Sequence, residues 1–330
     1  MFDKLFRNLC ALTALALAAG AASAQARPAA TAFPTKPVKI IVAAAAGSSP
    51  DAIGRRLATG LGAAWNQPVL IENVAGLGGI TGTDRAAKQP PDGYTFVVST
   101  IGAMSVSGSL MQMPYDPDKD LAPVSLLMSM PNLLVVHPSV PVTSVKELVA
   151  YVKQNPGKLR YGHPGTGTSN HLSGELLQMM AGIKMQGVPY KSSAQMMTDL
   201  LAGHYEVLFH NSSVVLPHAD AGKAKVLGIT ALERSPALPQ VPTVADAGGI
   251  PGFAVSAWWG LYAPAGTPPD IIAKVSADVA AVLAQPENKS WVEKQAGTVG
   301  GGTPAQLGAF RAAETKKWRE LIKSANIKAE

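Results

Sequence analysis

The strongest constraint on this fold is a unit that recurs along the chain. A short apolar run is followed by a glycine- or hydroxyl-rich turn, and then by a helix with one apolar face. Residues 38–45 are apolar apart from Lys39, opened by Pro37 and closed by Gly47. That is the pattern of a strand buried on both faces of a parallel sheet. Ser49-Pro50-Asp51 follows, with serine at the N-cap, proline at the first helical position and an acid in the first turn. The helix predicted over 50–65 carries Ile53, Leu57 and Leu61 at four-residue spacing, one apolar stripe. Residues 69–72 read as the next strand, the loop 76–82 leads into a helix ending near Lys88, and 94–99 form a third strand. This β-α-β-α-β order predicts a right-handed, mostly parallel sheet with helices on both faces.

The alternation continues. Strands are expected over 132–136, 159–162, 187–190, 207–209, 225–230 and 256–263, and helices over 145–154, 170–181, 194–202, 270–284 and 304–324. A hydrophobic content of 47% supplies a core and excludes disorder for most of the length. At 330 residues a single core is near its size limit, so two lobes are expected.

The first residues read as an export signal. Lys4 and Arg7 precede an apolar run over 9–19, and Ala22-Ser23-Ala24 offers small residues for cleavage after Ala24. The run is shorter than the roughly 20 residues a membrane span requires. The lone cysteine, Cys10, leaves with it, so no disulfide and no cysteine-ligated zinc is available to the mature chain.

Several chemistries lack their sequence signatures. The formal net charge of +6 comes from scattered residues, without a basic stripe interleaved with aromatics, so no nucleic-acid partner is expected. The stretch Gly76-Leu77-Gly78-Gly79-Ile80-Thr81-Gly82 has threonine where a dinucleotide fingerprint needs its last glycine, and it lies in the second β-α unit. A tight turn with positive φ explains it better. The six histidines fall between 137 and 218 without the spacing of a helical zinc site. No metal and no cofactor are expected.

Two loops carry the functional signal: Gly47-Ser48-Ser49-Pro50-Asp51 and Gly165-Thr166-Gly167-Thr168-Ser169-Asn170-His171. Each follows a strand and opens a helix, so each offers backbone N–H groups, hydroxyls and a positive helix end. Capping alone accounts for either loop. Taken together, in separate lobes, they suggest two anion clamps facing one cleft, with a carboxylate as the natural occupant. Asp51 has two readings: an acid stabilised by the helix dipole, or an acceptor for a ligand hydroxyl, amino group or water. Of Trp258 and Trp259, one is expected in the core and the other at the cleft.

The chain resembles the tripartite tricarboxylate transporter substrate-binding family, the Bug or TctC receptors, over about residues 34–328. The resemblance rests on Lys36-Pro-Val-Lys-Ile-Ile-Val42, Ile71-Glu-Asn73, Pro91-Asp-Gly-Tyr94, Pro114-Tyr-Asp-Pro117 and Asn155-Pro-Gly-Lys158. It continues through Gly165-Thr-Gly-Thr-Ser169, Val188-Pro-Tyr-Lys191, Val241-Pro-Thr-Val244 and Trp259-Gly-Leu-Tyr-Ala-Pro-Ala-Gly-Thr-Pro268.

It implies an α/β periplasmic binding protein of type II, a Venus flytrap of two doubly wound lobes. Lobe 1 would comprise 34–130 plus 256–330 and lobe 2 131–255, behind a signal peptide of 1–24. The family's ligand positions fall here on Gly47, Ser48, Ser49 and Asp51, on Ser99, Thr100 and Ala103, on Thr166, Gly167, Thr168 and Ser169, and on His210 and Asn211. The implied role is periplasmic capture of a small di-, tri- or aromatic carboxylate by a monomer, with delivery to membrane permease subunits and no catalysis. The alternatives are a receptor serving a signalling partner, and an exported hydrolase or lyase using Ser169 with His171 or His210.

The chain departs from the family at Ala43-Ala44-Ala45-Ala46, where prolines and a glycine are usual. It departs again at Ser192, where glycine is usual, and at His210, where aspartate is frequent. The His210 change is expected to shift preference toward a more anionic or aromatic ligand.

Overall fold

A computed structural model describes residues 33–190, 193–325 and 327. The proposed signal peptide and Cys10 lie outside the described residues. Residues from Lys36 onward form one unit.

The first part follows the expected order. Strand β1 (Val38–Val42) leads to α1 (Ser49–Trp65), β2 (Val69–Asn73), a 3₁₀ turn (Leu77–Gly79), α2 (Ile80–Ala87) and β3 (Thr95–Thr100). β1 lies between β2 and β3 and pairs parallel with both. Ile53, Leu57 and Leu61 of α1 are buried, so the four-residue stripe is the face laid on the sheet. The glycine-rich turn adopts the backbone its composition predicts, with positive φ at Gly76, Leu77, Gly78 and Gly79.

A π-helical turn (Gly102–Val106) then leads to β4 (Leu121–Val136), a 16-residue strand. Beyond it come α3 (Val145–Gln154), β5 (Arg160–His163), α4 (Ser169–Ala181), β6 (Gln186–Pro189), α5 (Ser193–Leu201), β7 (Val207–Asn211), α6 (Ser212–Asp220), β8 (Lys225–Ile229) and α7 (Val244–Gly248). The chain closes with β9 (Ser256–Pro264), α8 (Pro269–Leu283), α9 (Pro286–Glu293), β10 (Thr298–Gly301) and α10 (Pro304–Ala325).

The sheet order is β2-β1-β3-β9-β4-β7-β5-β6, with β8 and β10 also on β4. The outer pairs are parallel, but β9 runs antiparallel to both β3 and β4, and β7, β8 and β10 run antiparallel to β4. The sheet is therefore mixed, where β-α alternation predicts a mostly parallel one.

Strand β4 extends the expected 132–136 upstream to Leu121, through a stretch that contains Pro123 and Pro131. The structure places Pro131 where the strand changes partner. β4 pairs with β9 through Pro131↔Ser256, and with β7 from Asn132↔Asn211 onward. A residue without an N–H donor costs least where one ladder ends and the next begins. Helix α6 was also unforeseen, because Pro217 lies inside it.

Candidate ligand-binding cleft

Three helices, α1, α4 and α6, begin directly at a cavity of about 330 Å³. Their N-cap residues are Ser48, Thr168 and Asn211, and none of these side chains caps its own helix. Helices α3 and α7 behave differently. The Ser144 hydroxyl accepts the Glu147 N–H at 3.2 Å, and the Thr243 hydroxyl accepts the Asp246 N–H at 3.0 Å. Helix ends facing the cavity thus keep donors that side chains satisfy at these other two.

One hydroxyl in each clamp loop is spent on the loop itself. Ser48 Oγ donates to the Ala45 carbonyl at 2.6 Å, and Thr168 Oγ1 donates to the Gly165 carbonyl at 2.7 Å. The N–H groups of Gly47, Ser48, Gly165, Gly167 and Thr168 are also bonded within or beside their loops, so what each loop presents inward is the positive end of a helix dipole with the remaining N–H groups of the first helical turn. Across the cavity, Ser49 Oγ donates to Asn211 Oδ1 at 3.3 Å, and Asn211 Nδ2 donates to Asn132 Oδ1 at 3.3 Å.

The wall between the helix ends is largely apolar. Ala43 to Ala46, Ala75, Ile101, Pro164, Val214, Ala257 and Trp259 contribute to it, with Gly76, Gly78 and Gly79 from the glycine-rich turn. Of the two tryptophans, Trp259 faces the cavity. Trp258 is core, 1% exposed, with its Nε1–H donated to Glu314 at 3.2 Å.

Eight of the expected site residues line the cavity: Gly47, Ser48, Ser49, Thr100, Thr168, Ser169, His210 and Asn211. Five others do not. Asp51 is turned into its own loop, accepting from Gly47 N–H at 2.8 Å, Asn73 Nδ2 at 2.9 Å and Arg55 Nε at 3.0 Å. Burial pushes its pKa up, but the hydrogen bonds from Arg55, Gly47 and Asn73 outweigh that and hold the carboxyl below the ordinary aspartate value. The dipole-and-capping reading of Asp51 fits this geometry.

Ser99 is fully buried and shares a 2.7 Å hydrogen bond with Thr83, because alternation along β3 sends it to the opposite face from Thr100. Ala103 is buried in the π-helical turn, where its carbonyl accepts from Tyr115 Oη at 2.8 Å and its N–H donates to Thr100 Oγ1 at 3.2 Å.

Thr166 and Gly167 lie at a glycine seam beside the cavity. A Cβ on Gly165 would sit 3.0 Å from the Gly78 nitrogen, one on Gly78 3.2 Å from the Thr166 carbonyl oxygen, and one on Gly102 3.2 Å from the Gly167 carbonyl oxygen. The β5–α4 loop therefore packs backbone to backbone against the segments that follow β2 and β3. Nothing in the sequence motifs announces this seam, since its glycines are distant along the chain.

His210 lies in the cavity wall and is 4% exposed. Its Nδ1 accepts the Asn211 N–H at 2.8 Å, while Nε2 meets no protein partner. Burial pushes its pKa down to about 4. His171 lies beneath the second clamp loop, its ring tilted against that of His163 with 4.8 Å between centroids, and its Nδ1 accepts the Gly167 N–H at 3.4 Å. Burial, with His163 beside it, pushes its pKa down to about 3, which removes the basicity that a serine–histidine pair needs near neutral pH.

A mixed α/β sheet with helix ends gathered around one cleft defines a two-lobed solute-binding protein of the periplasmic type. The family described as "Tripartite tricarboxylate transporter family receptor" matches residues 53–327, and the chain belongs to that family. The fold is similar to that of the periplasmic binding protein BugD (TM-score 0.84, 31% identity, covering 90% of this chain and 100% of that one). It is also similar to Rpa4515 of R. palustris, solved with adipate (TM-score 0.85, 35% identity, 90% and 99% covered). A further similar structure is MatC (Rpa3494) from Rhodopseudomonas palustris with bound malate (TM-score 0.81, 32% identity, 88% and 100% covered). No described helix is long and apolar enough to cross a membrane.

Proposed function

We propose that this receptor captures a small carboxylate in the periplasm, closes its lobes around it and hands it unchanged to a membrane permease. The observation that carries the reading is the convergence of three helix N-termini whose own N-cap side chains leave them uncapped. Hydrogen bonds to a charged group contribute on the order of 1.5–3 kcal/mol each. Four or five of them would support micromolar affinity, which corresponds to about 8 kcal/mol. The acids bound in Rpa4515 and MatC support the same ligand class.

The proposed lobes are 34–130 with 256–330, and 131–255, exchanging at the partner change of β4 and at the start of β9. The ligand's carboxylate docks on one set of N–H groups, and closure brings the others onto the rest of the molecule. The closed population rises by the ligand's differential affinity for that form. Residues 1–24 direct export and are removed, and the receptor acts as a monomer.

Calorimetric titration and thermal-shift measurements against mono-, di- and tricarboxylates, aromatic acids included, test the reading. One-to-one binding without added metal or nucleotide, with the acid recovered unchanged, is the expected result. A panel with no binder overturns it, and turnover of a bound acid moves the protein into the enzyme class.

A further inference from the structure

Ser107 opens the 3₁₀ turn (Ser107–Ser109) that follows the π-helical turn, and it is fully buried. Its peptide groups are satisfied. The N–H donates to the Gly102 carbonyl, and the carbonyl accepts from the Leu110 and Met111 N–H groups, each at 2.9 Å. Its hydroxyl meets no hydrogen-bond partner in the protein. Elsewhere a helical hydroxyl turns back to the carbonyl four residues earlier, as Thr83 does to Gly79 at 2.8 Å, Ser173 to Ser169 at 2.7 Å and Thr315 to Arg311 at 2.9 Å. For Ser107 that carbonyl belongs to Ala103 and accepts the Tyr115 hydroxyl at 2.8 Å. The carbonyl three residues back, that of Met104, accepts the Arg311 guanidinium at 3.3 Å.

What covers the hydroxyl is the second clamp loop. A Cβ on Gly167 would stand 2.9 Å from Ser107 Oγ and 3.3 Å from the Val106 side chain. This contact belongs to the glycine seam, and like the others there it sets a segment of the proposed lobe 1 against the β5–α4 loop of lobe 2. A hydroxyl sealed away without a partner raises the free energy of the state that seals it, and parting the seam lets water reach it.

We propose that the Ser107 hydroxyl holds the ligand-free receptor toward the open form and so sets the affinity of the cleft without touching the ligand. Closure lays Gly167 over the hydroxyl, and the ligand must offset that cost. The apparent affinity is the intrinsic one reduced by the fraction of protein able to close. Removing the hydroxyl therefore tightens binding, by one factor for every acid, because the cost belongs to closure and not to a contact with the ligand. This inference rests on the proposed function, since it concerns the lobe closure by which the cleft captures its acid.

The test uses the full chain with succinate, malate, adipate, citrate and benzoate as probes. Affinities are read by calorimetry for the unmodified protein, Ser107→Ala and Ser107→Thr, with circular dichroism confirming the fold of each variant. Dissociation rates come from stopped-flow tryptophan fluorescence, Trp259 lying at the cavity. Ser107→Ala is expected to bind each acid that binds the unmodified protein about tenfold more tightly, about 1.4 kcal/mol, through slower dissociation and with the order of acids unchanged. Ser107→Thr keeps the hydroxyl and is expected to show no gain.

Unchanged or weaker binding by folded Ser107→Ala overturns the inference. So does an equal gain in Ser107→Thr, or a gain confined to some of the acids. If no acid binds the unmodified protein, the carboxylate reading falls and this inference with it, whereas binding that Ser107→Ala leaves unaltered removes the inference alone.

Discussion

Asp51 reaches back along its own helix to Gly47, accepting its backbone N–H at 2.8 Å and so holding the first clamp loop to the helix that follows it. The same carboxylate takes Arg55 and Asn73, which ties the loop to α1 and β2 together. Gly47 has φ +78, and the bend it makes presents Ser48 and Ser49 to the cavity. Asp51 thus shapes the binding loop without standing in the cavity wall.

Asp51→Ala is expected to cost about 2 kcal/mol of stability, the scale of losing a buried charge-assisted hydrogen-bond set. Carboxylate binding weakens because the loop is loosened, but ligand ranking stays as it was. Urea denaturation and titration of the same acid panel check both halves, and a changed ranking would place Asp51 against the ligand.

Ser169→Asp sets a carboxylate at the first residue of α4, whose first turn carries no acid. A negative charge there contributes about 0.3–1 kcal/mol through the helix dipole, so the ligand-free protein is expected to melt at or slightly above the unmodified temperature. The new carboxylate also takes the N–H groups meant for the ligand, and binding is expected to fall by roughly a hundredfold, about 2.7 kcal/mol. Scanning calorimetry with and without ligand reads both effects.

Gly102→Val tests the glycine seam. The backbone of the β5–α4 loop comes close enough that a Cβ on Gly102 would stand 3.2 Å from the Gly167 carbonyl oxygen and 3.3 Å from that of Gly78. Valine is expected to hold the two loops apart and lower ligand affinity on the order of tenfold, about 1.4 kcal/mol, by disfavouring the closed form. Small-angle scattering with saturating ligand should show a larger radius of gyration than the unmodified protein; identical radii would rule out a role for the seam in closure.

The buried histidines set an acid limit on stability. His210 and His171 have pKa values pushed down to about 4 and about 3, against 6.5 for an unperturbed histidine. Between pH 6.5 and 4 the unfolded chain binds more protons than the folded one, so stability rises with pH through that window. The contribution is complete above 6.5 and is lost as pH falls toward the folded values, at a scale of about 1.4 kcal/mol per pH unit for each group. Urea midpoints at pH 7.5, 5.5 and 4.5 should fall in that order, and His210→Phe should flatten the slope.

Much of the fold was legible because its signals are local. Ile53, Leu57 and Leu61 mark one face of α1, and Ser49-Pro50-Asp51 marks its start, since capping and amphipathicity involve residues within a few positions of each other. The two clamp loops were legible for the same reason. Strand β4 was not, because Pro123 and Pro131 interrupt the local pattern, and the sheet accommodates the first at a register shift and the second at a partner change. The family resemblance places Ser99 and Ala103 at the cleft beside Thr100. Strand alternation and the π-helical turn turned them away from it.

The third helix end at the cavity, that of α6, required tertiary information, because Pro217 hides the helix and Asn211 meets Ser49 only across a chain separation of 162 residues.

The sequence by itself determined the β-α units, the two hydroxyl-rich helix starts and the family to which they belong, since each is written in residues close together in the chain. The tertiary structure decided which of those residues face the ligand. It turned Asp51 inward to its loop, joined Gly78, Gly102 and the 165–167 turn into a seam, and buried His210 Nε2 without a hydrogen-bond partner. Orientation and hydrogen-bond satisfaction depend on packing between segments far apart in sequence, and no local pattern records them.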